Sequence, residues 1–222
     1  MADDLIHRVH ALDKRLRGHP KRRRKVIPQL IALLSEASGP EEVLAVVEVL
    51  GGTFSDAASL ALLPLAGHPD EDVRYAVAHW LPLGVEHAET EVPVADALVR
   101  LARDPSAEVR AWAVFGLGTF LELDTPAGRE VMRECLWESD RDVRIEALCG
   151  LAARREPGVL ELIRDELELP TVEPRVVAAA LAYADRSLVA ALRELQRAGW
   201  DDNPDLLVQA LRACESGQQE SA

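Results

Sequence analysis

Three stretches of this chain superpose on one Val-Arg pair: HPDEDVRYAVAHW from residue 68, DPSAEVRAWAVFG from 104 and ESDRDVRIEALCG from 138. The pairs are Val73-Arg74, Val109-Arg110 and Val143-Arg144, spaced 36 and 34 residues apart. A polar or Pro-containing turn precedes each, and an acid stands just before each Val: Asp72, Glu108 and Asp142. After each Arg come Val77, Ala78 and Leu81, then Ala113, Val114 and Leu117, then Ala147, Leu148 and Leu151. With the Val, these positions form a single stripe along a helix. Pro near the start and carboxylates in the first turn suit a helix N-terminus, where orphan N–H groups and the positive end of the dipole lie. Asp104-Pro105 reads as the clearest such start, with Asp104 as N-cap.

The register extends to Leu44, Arg175 and Leu207, so anchors fall near 44, 74, 110, 144, 175 and 207. A second helical pattern lies between each pair of anchors, as in VADALVRLARD and GREVMRECLWE. Each unit reads as helix, turn, helix. One such pair leaves its apolar stripe in water, and stacked pairs bury a continuous core. Composition agrees: aromatics are only 4%, against 48% hydrophobic residues in all, and Ala and Leu favour helix over sheet.

The pattern in DPSAEVRAWA resembles the HEAT repeat, in particular its short bacterial form, most clearly over residues 60–155 and less so to 215. We therefore expect an all-α, right-handed α-solenoid of about six HEAT-like helix pairs with an N-terminal capping helix. The resemblance implies an Asp/Arg ladder between repeats: Asp72, Arg74, Glu108, Arg110, Asp142, Arg144 and Arg175. It also implies that the second helix of each pair lines the concave face. Units one and six lack the Arg, as end units would.

Residues 2–17 read as the amphipathic cap, with Leu5, Ile6, Val9, Leu12 and Leu16 on one side. A second helix is expected over 20–37, kinked by Pro28. A single repeat domain should span 1–215, followed by a polar tail, 216–222. The longest connections fall at 84–93 and 121–128. Cys135, Cys149 and Cys214 are too few and too widely spaced for a disulfide framework, and the first two read as small buried hydrophobes. The N-terminus has no long apolar run and no segment reaches a membrane span, so a cytoplasmic location is expected.

Positions one, two and five after each Arg should face away from the core. They hold Tyr75, Ala76 and His79, then Ala111, Trp112 and Phe115, then Ile145, Glu146 and Cys149, then Val176, Val177 and Ala180. Three aromatics thus gather at outward positions of adjacent units, as a binding patch does. Tyr75, His79, Trp112, Phe115 and Glu146 are the candidate partner-binding residues. The competing expectation is that this face is buried by a tight curl or an overlying loop.

Charge is divided unevenly. Residues 1–25 carry nine basic against three acidic residues, net +6, and residues 26–222 carry 16 against 35, net -19. The basic run is Lys14, Arg15, Arg17, Lys21, Arg22, Arg23, Arg24 and Lys25. It suits a solvated face pairing with nearby acids, an acidic protein or nucleic acid; it lacks interleaved aromatics. The acidic body disfavours phosphate backbones. Some proteins that share the resemblance are alkylpurine DNA glycosylases, using a Trp and an Asp one turn away. Here Trp112 is followed four residues on by Gly116, and Glu146 lies one unit away. Others are phycobilin lyases, but only the repeat itself points there. No metal set is complete, since His7 and His10 lack further ligands and His79 and His87 lie in different elements. We therefore expect a non-enzymatic scaffold or adaptor without cofactor or metal. It should bind a basic protein, in an inhibitor or immunity-type role for example, rather than nucleic acid, membrane or small molecule.

Overall fold

The structure is a computed structural model that describes residues 2–18 and 20–217. Residues 218–222, most of the expected tail, lie outside the described residues. Among the described residues there are thirteen α-helices and no strand. They fall into two compact units, Met1–Leu123 and Asp124–Ala222. The division falls within the long connection at 121–128.

The first unit opens with α1 (Ala2–Gly18), which packs on α2 (Arg23–Glu36) and α3 (Pro40–Gly51). Two further pairs follow: α4 (Asp56–Leu62) with α5 (Glu71–Trp80), and α6 (Ala88–Leu101) with α7 (Ala107–Phe115). The second unit holds α8 (Pro126–Cys135) with α9 (Arg141–Ala153), α10 (Val159–Leu167) with α11 (Pro174–Tyr183), and α12 (Val189–Arg197) with α13 (Pro204–Ser216). Each unit is thus a run of stacked helix pairs, an α-solenoid architecture. The six anchors lie one each in α3, α5, α7, α9, α11 and α13. These second helices form the continuous contact rows α1–α3–α5–α7 and α9–α11–α13.

The core follows the stripe. Val73, Val77, Ala78 and Leu81 are buried, as are Val109, Ala113, Val114 and Leu117, and Val143, Ala147, Leu148 and Leu151. Leu5, Val9 and Leu12 are buried in α1. The second helix begins later than expected, after a 3₁₀ turn at Pro20–Arg22, and contains Pro28. Cys135 and Cys214 are buried, whereas Cys149 is half-buried.

Several outward assignments are corrected. Ala76, Ile145, Val176, Val177 and Ala180 are buried. The second helices pack so closely within a row that these positions become inter-repeat contacts. The Cys149 thiol donates to the Arg175 carbonyl at 3.3 Å and the Cys214 thiol to the Ala180 carbonyl at 3.4 Å, each reaching the neighbouring helix backbone.

The helix starts are corrected too. Asp70 and Asp140 are the N-caps of α5 and α9, accepting from the N–H groups of Val73 and Val143 at 3.2 Å each. Ser106 occupies that place in α7, so Pro105 lies in the turn and Asp104 is not the cap. Pro does stand at the first helical position in α3, α11 and α13.

Between α4 and α6, Asp56 clamps a chain reversal. Its carboxylate accepts from the N–H groups of Glu86 at 2.9 Å and His87 at 3.3 Å, and meets the His87 ring. Burial raises the Asp56 carboxyl, but these bonds and the Thr90 hydroxyl outweigh it and hold it down to about 2. The hydrogen bond to Asp56 raises the His87 imidazolium. A depressed Asp stabilises the fold above its unfolded value, near pH 3.9, and loses that contribution as pH falls through its folded value near 2. A raised His stabilises below about pH 6.5 and loses that as pH rises through its folded value. The pair therefore contributes most between about pH 4 and 6.5. Asp56→Asn should lower the melting temperature most in that window and converge on the parent near pH 2, in paired thermal melts.

Candidate functional site

The most distinctive surface of the first unit is a row of rings. Phe54, in the turn after α3, meets Trp80 at 5.9 Å between centroids. Trp80 meets His79 at 4.6 Å, and His79 meets Trp112 of α7 at 4.3 Å. Trp112 meets Tyr75 at 6.2 Å and Phe115 at 5.6 Å, and Phe115 meets Phe120 at 5.2 Å. Every contact is edge-to-face, the arrangement favoured by the ring quadrupole. Tyr75, His79, Trp80, Trp112 and Phe115 are half-buried, and Phe54 and Phe120 are 44% and 42% exposed. The rings bridge successive second helices and still present surface. Partial burial lowers the His79 pKa despite a nearby Glu48, so this imidazole is neutral at pH 7.

Sequence reasoning found four members of this row and missed Phe54, Trp80 and Phe120. Trp80 ends α5, and Phe120 ends a π-helical turn, Gly116–Phe120, that follows α7. Neither falls in the repeat frame, so periodicity carried no signal for them. Gly116 is buried, and a Cβ there would lie 3.0 Å from Pro82 and 3.1 Å from Leu98, so this place is filled by packing.

Glu146 belongs to the second unit and has a different setting. Its side chain is 13% exposed and accepts from Arg175 Nη1 at 2.8 Å. Burial pushes its carboxyl above the ordinary value, even with Arg175 beside it.

The arginines of the repeat have one shared task. Arg74 Nη1 donates to the carbonyls of His68 and Pro69 at 2.9 and 3.0 Å. Arg110 Nη1 donates to those of Asp104 and Pro105 at 2.8 and 3.0 Å, and Arg144 Nη1 to those of Glu138 and Ser139 at 2.7 and 2.8 Å. Each thus ties down the turn five and six residues before it. Arg74 also forms a bidentate pair with Asp104 of the next repeat, at 2.6 and 3.1 Å. This hydrogen bond raises the Arg74 pKa. The acid of that rung is therefore a turn residue; Asp72 and Glu108 are exposed and form no ion pair among the described residues. Arg175 departs from the pattern, donating to Asp142, Glu146 and Glu173 at 2.5, 2.8 and 2.5 Å.

The basic run is mostly unneutralised. Arg17 pairs with Asp13 at 2.7 Å and Arg15 donates to Gln29 at 3.4 Å. Lys14, Lys21, Arg22, Arg23, Arg24 and Lys25 form no ion pair among the described residues. Arg15, Lys21, Arg22 and Lys25 line a depression of about 640 Å³. A second, of about 460 Å³, brings Arg17 and Arg23 beside Trp80, so tertiary structure supplies the aromatic neighbour that the local sequence lacks.

Asp56, Glu86 and His87 bring three ligand-type atoms within 4.8 Å of one another, a grouping not foreseen from the sequence. The Asp56 oxygens are already engaged by backbone N–H groups and the imidazole, as the clamp described above. No helix among the described residues is long and apolar enough to cross a membrane.

Residues 94–184 match the family model of HEAT repeats. Protein YibA of Escherichia coli K12 is 32% identical over 132 residues, covering 60% of this chain and 45% of YibA. Its counterpart in strain O157:H7 matches to the same extent. The chain thus spans about half the length of the curated relatives it matches. The X-ray structure of YibA aligns with a TM-score of 0.54 at 20% identity, covering 96% of each chain. An engineered protein aligns at 0.61 and 19%, covering 87% of this chain and 98% of its own. A designed armadillo repeat protein in complex with the peptide (KR)4 aligns at 0.50 and 16%, covering 93% and 91%. These structural likenesses establish a helical-repeat fold.

Proposed function

We propose that this chain, a HEAT-repeat protein over residues 94–184, is a non-catalytic scaffold that docks a basic protein on the aromatic row of its first unit. The observation that carries this reading is the continuity of seven partly exposed rings, five on α5 and α7 with Phe54 and Phe120 at the two ends. Rings held by their neighbours lose little freedom on binding and supply large contact areas. Tyr75, His79, Trp112 and Phe115 form its centre, on what we take as the concave side. Glu146 lies in the second unit, is already held by Arg175, and is left out of this docking face. The acidic body, net -19 beyond residue 25, attracts a cationic partner and speeds encounter. The designed armadillo repeat protein carries a basic peptide on a related architecture. An inhibitor or immunity-type role in the cytoplasm, blocking a basic toxin or nuclease, fits these properties.

A second reading, binding of nucleic acid, draws support from Arg23, which forms no ion pair among the described residues and lines a depression with Trp80. One experiment separates the two. Partners captured from native lysate are identified, purified and titrated against the parent and against Trp112→Ala, Phe115→Ala, in parallel with duplex DNA at low salt. The protein-docking reading expects a basic partner whose affinity falls at least about 100-fold in the double variant, as for loss of two anchors worth ~1.4 kcal/mol or more each. Binding indifferent to both rings but lost on mutating the first helices of the pairs would overturn it. Tight DNA binding with a steep salt slope would favour the second reading.

A further inference from the structure

The second unit contains an internal example of what its repeat can hold. Asp142 and Glu146 stand four residues apart on one face of α9. Arg175 lies across both, and its guanidinium also meets Glu173. The acidic stripe of α9 is thus closed by a cation from the chain itself.

The first unit carries the same acid in the same frame, without that cation. Asp72 holds the place on α5 and Glu108 on α7. Three and seven residues beyond Asp72 come Tyr75 and His79; four and seven beyond Glu108 come Trp112 and Phe115. These spacings put each acid on one helical face with its two rings. Both acids are exposed and take no ion pair among the described residues. Arg110, the frame equivalent of Arg175, has Nη1 committed to the carbonyls of Asp104 and Pro105.

We infer that the stripes Asp72-Tyr75-His79 and Glu108-Trp112-Phe115 are two sockets for arginine side chains of the docked protein. This rests on the docking reading above and names the side chain it recognises. In each socket a guanidinium stacks flat on a ring while the carboxylate accepts from two of its N–H groups. Arginine suits this better than lysine. Its planar fork matches a carboxylate bidentately, it stacks on aromatic faces, and it is more weakly hydrated than an ammonium. The neutral His79 places no opposing charge in the first socket; Glu48 is the nearby acid that acts on it.

The test titrates the full chain with octaarginine and octalysine at about 0.15 M salt, where the Debye length is ~8 Å and diffuse attraction is damped. Affinities are read by calorimetry for the parent, Asp72→Asn with Glu108→Gln, and Trp112→Ala with Phe115→Ala. Melts of the exposed-acid variant confirm its fold. The sockets predict that octaarginine binds about tenfold or more tighter than octalysine. That advantage should vanish in the acid variant. Equal affinities for the two peptides, both sensitive to loss of the rings, would refute the sockets and leave the docking face standing. Arginine preference that persists without Asp72 and Glu108 also refutes them. Binding of both peptides that ignores the rings would remove the sockets and the docking face together.

Discussion

Gly51→Ala is expected to destabilise the first unit by about 2 kcal/mol, within the ~1–3 kcal/mol range of overpacked cores. In an exposed helix the same change stabilises by about 1 kcal/mol, so the sign itself is diagnostic. Gly51 is the last residue of α3, and Trp80 lies directly over it. A Cβ at Gly51 would sit 2.5 Å from Trp80 Cβ and 2.7 Å from Cδ2. Those atoms lie at the root of the side chain, so relief requires moving the indole or separating α3 from α5. Trp80 also meets Phe54 and His79, so the displacement should travel into the ring row. Gly67→Ala is the control, because nothing lies within 4 Å of its added carbon. Urea unfolding should separate the two variants by about 2 kcal/mol, with altered tryptophan emission only for Gly51→Ala. Equal stability of the two would show that α3 and α5 do not approach this closely.

Arg175→Met should destabilise the second unit by about 1–3 kcal/mol at pH 7. Loss of one partner from a buried pair costs about 3–5 kcal/mol. The lower range applies because the Arg175 side chain is 36% exposed and solvent screens part of the effect. Methionine keeps most of the apolar stem, so the loss reports the charge. Three carboxylates, Asp142, Glu146 and Glu173, then face one another without a cation. Burial already raises the Glu146 carboxyl, and losing the Arg175 cation removes the main influence that lowers it. Acids raised in the folded state cost stability above their unfolded values and recover it as they protonate. The deficit of Arg175→Met should therefore shrink as pH falls from 7 toward 4, in denaturant titrations at matched ionic strength. A deficit independent of pH would mean that lost packing, rather than lost charge, governs the site.

The two expectations draw on different levels of legibility. The repeat and its period were readable directly, because the stripe from Val73 to Leu81 recurs from Val109 and from Val143 with the same helical spacing. Burial of those residues depends on periodicity alone, and periodicity is a property of the chain. The six anchors and the helix pairing follow from it. The caps were less legible: Asp104 looks like an N-cap in DPSAEV, yet it turns toward Arg74, thirty residues away, while Ser106 takes its place.

The sequence alone determined that this chain builds stacked helix pairs, since one apolar stripe per helix has no other economical burial. Tertiary structure decided which outward positions stay outward. Val176, Val177 and Ala180 stand in the same frame as Tyr75 and His79, yet the first three are buried between α11 and its neighbours. Small and β-branched side chains let helices close upon one another, whereas rings hold them apart and keep an edge in water. It also decided that Phe54 and Trp80 join Trp112 in one row, and that Arg175 rather than Arg110 spans an acidic stripe. Those outcomes depend on how closely successive helices approach, a distance set by facing side chains from repeats some thirty residues apart.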